Sequence, residues 1–300
     1  MTSKVFTGHG FLVLNKPAGI TSAKTIQPLK KMCSGKVGHV GTLDPFATGM
    51  LVVSIGQATK FASLQLKESK KYHTCIQLGV QTDTQDITGE IINRQSVPTC
   101  TNENIRKVLD TDFTGNIMQK PSKFSALKYQ GKPYHYYARQ GIDIPIQARP
   151  ITIHNIELIQ YNHEQEQITL SVTCSSGTYI RALAEDIAHK LDTCGLVKTL
   201  HRDFITPWSN AQMYSPDSCT SENLPQRIQN TDTVLQHYPA AQLTDSQILK
   251  LQQGQTISSP SQHEPVTTLR IYDKKGAFAG LAESDGTIVK AKKILPPDTQ

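Results

Sequence analysis

Asp44 is the side chain whose position in this sequence most strongly indicates chemistry. It lies in residues 38–49 (GHVGTLDPFATG), where three glycines and a proline predict a fixed, non-helical loop that leads into a buried strand. It is the only carboxylate among the first sixty-seven residues, and the lysines around it favour its ionised form. An ionised carboxylate can act as a nucleophile or a general base but is a poor general acid.

Other interpretations of this loop compete with a reactive Asp44. An aspartate that precedes Pro45 can simply cap a turn. One carboxylate and His39 do not make a metal site, and no second acid lies nearby for a paired-carboxylate mechanism of the glycosidase kind. The phosphate-binding patterns GxxxxGK[ST] and GxGxxG are absent. The residues alone therefore allow two roles for Asp44, that of a reactive group and that of a turn cap.

The positive charge of the chain is concentrated near its start. The net charge is +6, yet residues 1–72 contain ten lysines, no arginine and only Asp44 and Glu68 as acids. Such an asymmetry is typical of a face that binds a polyanion, although an ordinary solvated lysine surface would look the same.

A second basic stretch carries aromatic residues. No acid lies between Asp112 and Asp143. Cations neutralise phosphates and aromatic faces stack on unpaired bases, so this mixture favours single-stranded or loop RNA over duplex DNA. Part of the set is expected to pack into the core, with Tyr134 and Tyr137 at i, i+3 spacing as the candidates. The interleaved residues are Lys120, Lys123, Phe124, Lys128, Tyr129, Lys132, Tyr134, Tyr136, Tyr137 and Arg139.

The elements that must position these residues can be predicted from periodicity. Apolar runs and alternation predict strands at residues 11–15, 50–55, 71–78, 151–159 and 167–174. Helical spacing predicts helices at 57–67, at 102–110 with Thr101 as N-cap, and at 178–191. Pro28 predicts a break or a late start in a helix at 23–33. The fold class predicted is α+β, with a large mixed, mostly antiparallel sheet flanked by helices.

The last part of the chain is predicted to form a small separate module. Polar sequence at 207–239 is typical of a seam, and a helix at 244–252 and three strands near 267–272, 277–282 and 287–290 follow it. These elements fit a small β-barrel-like unit.

Other sequence features bear on the compartment and on metal binding. No run of eighteen apolar residues exists and residues 1–10 do not resemble a signal peptide, so we expect a cytoplasmic protein without a membrane span. Six cysteines without a CxxC pair are expected to be reduced, small hydrophobic side chains, not zinc ligands.

Residues 38–49 closely resemble the GHxGTLDPxATG signature of TruB-type tRNA pseudouridine synthases. Four further segments resemble this family's motifs in the family's order, so the similarity covers roughly residues 10–205. They are 14–22 (its Lys-Pro-x-Gly opening), Lys71-Tyr72 (its K-x-Y-type strand start), 121–128 with 137–141 (its RNA-binding insertion) and 174–181 (its arginine-containing junction). The last sixty residues resemble the family's PUA-type module more loosely.

The resemblance implies an architecture and an activity. A catalytic domain with the pseudouridine synthase fold is expected at 1–236, with an RNA-binding insertion near 115–142, and a PUA-like RNA-binding domain at 237–300. The implied reaction converts uridine 55 in the T-loop of tRNA to pseudouridine, by flipping the base, without a metal or organic cofactor. The implied partner is tRNA, and a monomer that needs no protein partner is expected.

The resemblance also assigns roles to individual residues. Asp44 corresponds to the nucleophile, Tyr72 to the tyrosine that stacks on the target base and can act as a base, and Arg181 to the arginine that pairs with the nucleophile. The implied substrate contacts are His39, Tyr179 and Leu200 around the flipped nucleotide, and Lys16, Lys128, Arg139 and Arg202 elsewhere on the RNA. Each of three residues also has a purely structural alternative. Tyr72 could be a half-buried strand tyrosine, Arg181 a solvated arginine, and His39 a histidine that only supports the loop.

Two departures from the family pattern concern positions other than Asp44, Tyr72 and Arg181. The family usually has Asp where Asn15 stands, and an arginine pair where this chain has His201 and Arg202. The second departure removes one permanent charge from a strand that is expected to face phosphate.

Two other functions remain as alternatives. One is a non-catalytic RNA-binding or tRNA-folding protein, although binding alone has no use for an anion within a phosphate site. The other is a synthase guided to rRNA or mRNA by a complex, although a chain with its own aromatic and basic insertion needs no partner to bind a loop.

Overall fold

The computed structural model describes residues 5–65, 68–259 and 267–296. The strands, in chain order, are β1 (Gly10–Lys16), β2 (Val37–Val40), β3 (Thr48–Ile55), β4 (Lys70–Leu78), β5 (Val80–Thr82), β6 (Ile91–Arg94), β7 (Gly115–Gln119), β8 (Lys128–Tyr129), β9 (Lys132–Pro133), β10 (Arg149–Asn162), β11 (Gln167–Cys174), β12 (Gly195–Ile205), β13 (Ala240–Gln242), β14 (Ile257–Ser258), β15 (Thr267–Tyr272), β16 (Phe278–Ser284) and β17 (Ile288–Ile294). The α-helices are α1 (Ser22–Thr25), α2 (Gln27–Met32), α3 (Ala62–Gln65), α4 (Asn102–Asp112), α5 (Tyr134–Ala138), α6 (Ile180–Lys190), α7 (Leu224–Arg227) and α8 (Asp245–Gln252). Short 3₁₀ helices occupy Gly56–Lys60, Pro216–Ser218 and Thr231–Leu235.

An eight-stranded sheet forms the centre of the molecule. Its order is β1-β3-β12-β4-β11-β10-β7, and β2 pairs with β3 off this path. Within the described ranges its neighbours are antiparallel except β3 and β12, whose short parallel contact pairs Thr48 with His201 and Gly49 with Arg202. The predicted α+β class with a mixed, mostly antiparallel sheet is confirmed.

One face of this sheet is covered by α4 and α6. Residues of β4 and β11 alternate in burial, so their apolar side chains form a layer against Leu109 of α4 and Leu183 and Ile187 of α6. Thr101 caps α4 as predicted, because its Oγ1 accepts a hydrogen bond from the amide of Asn104 at 3.1 Å. α6 lies where the spacing of apolar residues predicted it.

β1 and β3 are buried on both faces, which explains why their sequences are continuous apolar runs without alternation. Leu12 and Leu51 pack with Ile26 and with Leu29 of α2 on one face, whereas Phe11 and Val52 pack with Trp208 on the other. Pro28 lies in the first turn of α2, separate from α1, so the predicted break is confirmed.

The C-terminal sheet has the order β13-β15-β16-β17-β14. Two of its five strands, β13 and β14, are only three and two residues long, too short for a periodic signal. Its core includes Ile248 and Leu251 of α8, which has a capping box at Thr244. It contacts the rest of the chain where the rings of Phe278 and Phe61 lie 5.6 Å apart.

Three predicted segments differ from the structure. The helix predicted at 57–67 is a 3₁₀ turn followed by α3, and its last two residues lie outside the described ranges. The predicted loop at 38–49 begins within β2, because Val40 and its neighbours pair with β3. The insertion expected near 115–142 starts later, because β7 (Gly115–Gln119) pairs with β10 in the main sheet.

None of the helices in the described ranges has the length and apolar character that a membrane crossing requires.

Replacing Gly49 with alanine is expected to destabilise the fold more than an ordinary glycine substitution. Gly49 has φ +99°, and a Cβ there would lie 2.3 Å from the backbone oxygen of Arg202, where β3 meets β12. We expect Gly49→Ala to lower the free energy of unfolding by about 3 kcal/mol or more. Gly115→Ala is the control, because Gly115 has φ +85° but open space around it, so only about 1–2 kcal/mol is expected. Equal losses in urea unfolding would contradict this.

Candidate active site

Asp44 and Arg181 form a two-point ion pair at the centre of the site. Nε of Arg181 donates to Oδ2 of Asp44 at 2.9 Å, and Nη2 donates to Oδ1 at 3.2 Å. This geometry orients the carboxylate as well as attracting it. The Arg181 side chain is 5% exposed and that of Asp44 35%. The cation is therefore buried behind a carboxylate that is open to the surroundings.

Arg181 is itself held by groups from other parts of the chain. Nη1 donates to the carbonyl of Thr84 at 2.7 Å and lies 3.6 Å from Oδ2 of Asp86, and Nη2 donates to the carbonyl of Phe124 at 3.0 Å. These partners compensate the desolvation of the guanidinium group. Because they come from different segments, the arginine has one defined orientation.

The start of α6, which carries Arg181 in its first turn, is fixed by an amide side chain of β7. Oε1 of Gln119 accepts a hydrogen bond from the amide of Tyr179 at 2.8 Å, and its Nε2 donates to the carbonyl of Tyr179 at 3.1 Å. Gln119, at the end of an edge strand, thus fixes the backbone of Tyr179, the N-cap residue of α6, which makes no side-chain cap of its own.

The loop that carries Asp44 is held by a buried lysine. Nζ of Lys16 donates to the carbonyls of Pro17, Pro45 and Ala47 at 2.8, 3.1 and 2.7 Å. Burial lowers the pKa of Lys16 to about 8, although the negative charge of Asp44 acts to raise it. Lys16 is 0% exposed and its ammonium group is bound to carbonyls within the protein, and the RNA contact expected for it stays a prediction.

A serine on α1 holds the same loop from a second side. Oγ of Ser22 donates to the carbonyl of Leu43 at 3.0 Å and accepts from the Leu43 amide at 2.9 Å. The amide of Gly19 donates to the carbonyl of Pro45 at 2.8 Å. The residues on both sides of Asp44 therefore have fixed backbone positions, as the glycine and proline content of the loop predicted.

A cleft of about 420 Å³ opens beside the Asp44 carboxylate. Tyr72, Tyr179 and Leu200 line it, together with Lys70 and Phe124. This volume, with mostly apolar walls and a few polar groups, is typical of a site for one small ligand. The structure thus brings together Asp44, Arg181, Tyr72, Tyr179 and Leu200, which the sequence analysis assigned to one site.

Tyr72 lies on β4 directly opposite Arg202 of β12. Burial raises the pKa of the Tyr72 phenol, and a hydrogen bond with Arg202 works in the opposite direction. The hydroxyl group is therefore protonated near neutral pH. A neutral phenol ring at the wall of a cleft can stack on a planar ligand.

Arg202 is among the residues that line the cleft, although its side chain is almost fully buried. It is 1% exposed, and its guanidinium donates to the carbonyl of Met50 at 2.8 Å and of Gly41 at 2.7 Å. The phosphate contact expected from this residue stays a prediction. Arg202 ties the loop before Asp44 to the strand that follows it.

His39 supports the rim of the cleft from β2. One of its ring nitrogens, Nε2, lies 3.1 Å from Oγ1 of Thr42, and Thr42 lines the cleft. Burial lowers the pKa of His39, and the positive charges of Lys30 and Arg202 add to this effect. The histidine is therefore neutral near pH 7. This contact agrees with the loop-supporting role that the sequence left as an alternative.

The predicted insertion places cations and aromatic rings near the cleft. Lys128 and Arg139 are exposed, and Arg139 lines a second cleft of about 240 Å³ that also reaches Asp44 and Arg181. The rings of Tyr129 and Tyr136 are half-buried, each packed edge-on against Tyr137 at 5.7 and 5.5 Å. Tyr134 is the tyrosine of this stretch that is buried in the core.

Two residues of the site were missed by the sequence analysis. Asp86 is buried, and its carboxylate accepts hydrogen bonds within its own turn, from the amide of Thr88 at 2.9 Å and from Oγ1 of Thr84 at 3.0 Å. The same carboxylate faces Arg181. Its Thr- and Asp-rich surroundings indicate only a turn.

The second missed residue is Lys70, which lines the cleft, whereas the family motif pointed to Lys71. The alternation of β4, with Lys70 and Tyr72 on one face, was the available signal.

Within the described ranges, no three His, Cys, Asp or Glu side chains come together as a set of metal ligands. The six cysteines are free thiols, buried or half-buried.

Comparison with known proteins identifies what the chain is similar to. Residues 29–180 match the family described as TruB family pseudouridylate synthase, N-terminal domain, and residues 239–294 match the pseudouridine synthase II TruB C-terminal family. The tRNA pseudouridine synthase B of Marinomonas sp. (strain MWYL1) is 36% identical over 294 residues, covering 95% of this chain and 94% of that protein. Its counterpart in Legionella pneumophila (strain Corby) is 38% identical over 292 residues and covers 95% of both chains.

Solved structures share the fold at lower sequence identity. An H/ACA RNP bound to a substrate RNA containing 2'-deoxyuridine has a TM-score of 0.69 at 20% identity, covering 96% of this chain and 86% of that chain. The archaeal box H/ACA sRNP Nop10-Cbf5 complex has a TM-score of 0.68 at 20% identity, with 96% and 87% covered. At this identity the similarity is one of fold.

The stability of the protein is expected to depend on pH through Lys70. Burial lowers its pKa to about 8, and the charge of Arg202 adds to the effect. Above pH 8 the native state loses this proton while the unfolded state keeps it until about pH 10.5, so the free energy of unfolding gains about 1.4 kcal/mol per pH unit from this group.

The test compares urea unfolding of the wild type and of Lys70→Met between pH 8 and 9.5. Their difference in unfolding free energy is expected to change by about 1.6 kcal/mol over this range, with the wild type gaining. Thr74→Val, a buried neighbour on the same face of β4, is the control, because its offset from the wild type should stay constant. Parallel curves for wild type and Lys70→Met would refute the prediction.

Proposed function

This chain belongs to the TruB family of pseudouridylate synthases, and we propose that it isomerises the uridine at position 55 in the T-loop of tRNA, with Asp44 as the nucleophile. The conversion of uridine to pseudouridine in tRNA follows from the family, and the position and the role of Asp44 are the proposed refinement. The observation that carries the refinement is the Asp44 carboxylate, held by buried Arg181 and open to a cleft beside Tyr72.

The depth of the site requires the target nucleotide to leave its stack. A base that is stacked in a loop cannot bring its sugar to a carboxylate inside a cleft, so the nucleotide is flipped into the site. The uracil ring then stacks on Tyr72, with Leu200 and Tyr179 as further walls. Lys128 and Arg139 of the insertion are exposed and can hold the surrounding phosphates.

The isomerisation breaks the bond between C1′ and N1 of the uridine and forms one between C1′ and C5. N1 gains a proton and C5 loses one, so the substrate and product contain the same atoms. An oxygen of Asp44 attacks C1′ in one route, or removes the C2′ proton in the route through a glycal. Both routes need an ionised carboxylate at the junction of sugar and base. The two hydrogen bonds from Arg181 fix the orientation of the Asp44 carboxylate.

The chemistry explains why no cofactor is proposed. The reaction is redox-neutral and transfers no group to a second molecule, so a carboxylate and a binding pocket supply what it needs. The protonated phenol of Tyr72 fits the stacking role better than that of a resident base, because a base would first have to lose its proton.

We further propose a division of the chain into a catalytic domain at 1–236 and a PUA-like RNA-binding domain at 237–300. The C-terminal sheet has its own apolar core, and the second family match covers residues 239–294. The exposed cations and half-buried tyrosines of the insertion support binding of tRNA. We also propose that the chain acts as a monomer without a protein partner, in the cytoplasm.

Asp44→Asn is the substitution that tests this proposal. It keeps the size of the side chain but removes the charge, so we expect tRNA affinity within about threefold of wild type and no pseudouridine. Asp217→Asn, at an exposed aspartate, is the control and should behave as wild type. The measurement is carbodiimide mapping of every uridine in unmodified tRNA after incubation with each protein.

The outcomes separate the parts of the proposal. Pseudouridine made by Asp44→Asn would exclude Asp44 as the nucleophile. Wild-type product at another uridine, with none at position 55, would exclude the proposed target.

A further inference from the structure

His135 is the one histidine of the insertion, and it lies where two clefts meet at Asp44. It lines both the main cleft of about 420 Å³ and the second cleft of about 240 Å³, and each of these clefts also reaches Asp44 and Arg181. The residue is half-buried and stands near the start of α5. An imidazole is thus placed where both clefts converge on the reactive carboxylate.

The ring of His135 is held by the backbone of Ser125. Nδ1 lies 3.0 Å from the carbonyl oxygen of Ser125, and the backbone amide of His135 donates to the same oxygen at 3.2 Å. A carbonyl oxygen can only accept, so Nδ1 carries the hydrogen. In the neutral imidazole the lone pair is then on Nε2, which has no hydrogen-bond partner among the residues that the structure describes. One nitrogen fixes the ring, and the other is available to accept a proton.

The isomerisation needs a proton acceptor after the new carbon–carbon bond has formed. In both routes through Asp44 the last intermediate has C1′ bonded to C5 while a hydrogen remains on C5. When that C5–H bond breaks, its electron pair forms the C5–C6 double bond. The electrons of the C6–N1 double bond move to N1, which takes a proton from water. The hydrogen of C5 must therefore go to a base beside the ring.

Other groups along the main cleft are poorly suited to accept this proton. Burial raises the pKa of the Tyr72 and Tyr179 phenols, so both hydroxyls keep their protons near pH 7. Lys70 stays protonated below its pKa of about 8, and arginine does not give up its proton. Both carboxylate oxygens of Asp44 already accept hydrogen bonds from the buried arginine. Of the described side chains that line this cleft, the imidazole of His135 is the remaining base.

We propose that Nε2 of His135 accepts the proton of C5 in the last step and passes it to water through the second cleft. The proposal rests on the proposed function, because it takes uridine to be the ligand of the main cleft. It divides the chemistry between two groups, with Asp44 acting at C1′ and His135 at C5. The second cleft, lined by His135 and by exposed Arg139, is then the exit for this proton.

The test uses variants of His135 that lack its basic nitrogen. His135→Asn places an amide nitrogen near the position of Nδ1, so it can still donate to Ser125 but has no group that accepts a proton. His135→Ala leaves space for free imidazole. His163→Asn, at an exposed histidine in the turn after β10, is the matched control. Single-turnover rates of pseudouridine formation are measured on tRNA whose target uridine carries hydrogen or deuterium at C5, and thermal unfolding verifies that each variant is folded.

We expect His135→Asn to lower the rate by about a hundredfold, with tRNA affinity within about twofold of wild type. Its rate with deuterium at C5 should be at least about twofold lower than with hydrogen, a larger isotope effect than in the wild type, because loss of this proton has become the slowest step. Imidazole in solution should raise the rate of His135→Ala by at least about tenfold. His163→Asn should behave as the wild type.

Two results would overturn the proposal. One is a wild-type rate for His135→Asn. The other is a slower rate without a larger isotope effect, which would give His135 a purely positioning role. Failure of the proposed function would look different, because the wild-type protein itself would then form no pseudouridine.

Discussion

The ion pair between Asp44 and Arg181 is the interaction on which the rest of the site depends. A carboxylate that is to react must be ionised, correctly oriented and reachable, and burial of the whole group would defeat the first requirement. Here the arginine is buried and the carboxylate is open. The desolvation of the guanidinium is offset by the carbonyls of Thr84 and Phe124 and by Asp86.

The fold supplies these partners from distant parts of the chain. α6, anchored by Gln119 of β7, carries the arginine, and the loop before β3 carries the aspartate. Two buried cations hold that loop through backbone carbonyls: Lys16 from the end of β1, and Arg202 from β12. Short parallel pairing at Gly49 joins β3 to β12 and leaves no room for a side chain. The cleft is therefore a consequence of how the central strands meet.

Much of this could be predicted from the sequence, because the signals are local. Periodicity located α4, α6 and the long strands, and the lone carboxylate in a rigid loop identified Asp44. The burial of Lys16 and Arg202 was not predicted, for a physical reason: a cation predicts exposure unless distant carbonyls bind it, and such contacts leave no local pattern. Asp86 was missed for the same reason, since its turn is visible in the sequence but its approach to Arg181 is not.

The account is tested most directly by the single-turnover rate of pseudouridine formation with Arg181→Lys. Lysine keeps the positive charge but cannot donate two parallel hydrogen bonds to both oxygens of Asp44. If orientation of the carboxylate is what the buried arginine provides, the rate should fall at least about tenfold while tRNA affinity stays within about twofold of wild type. A variant that reacts at the wild-type rate would contradict the central claim, because charge alone would then be sufficient.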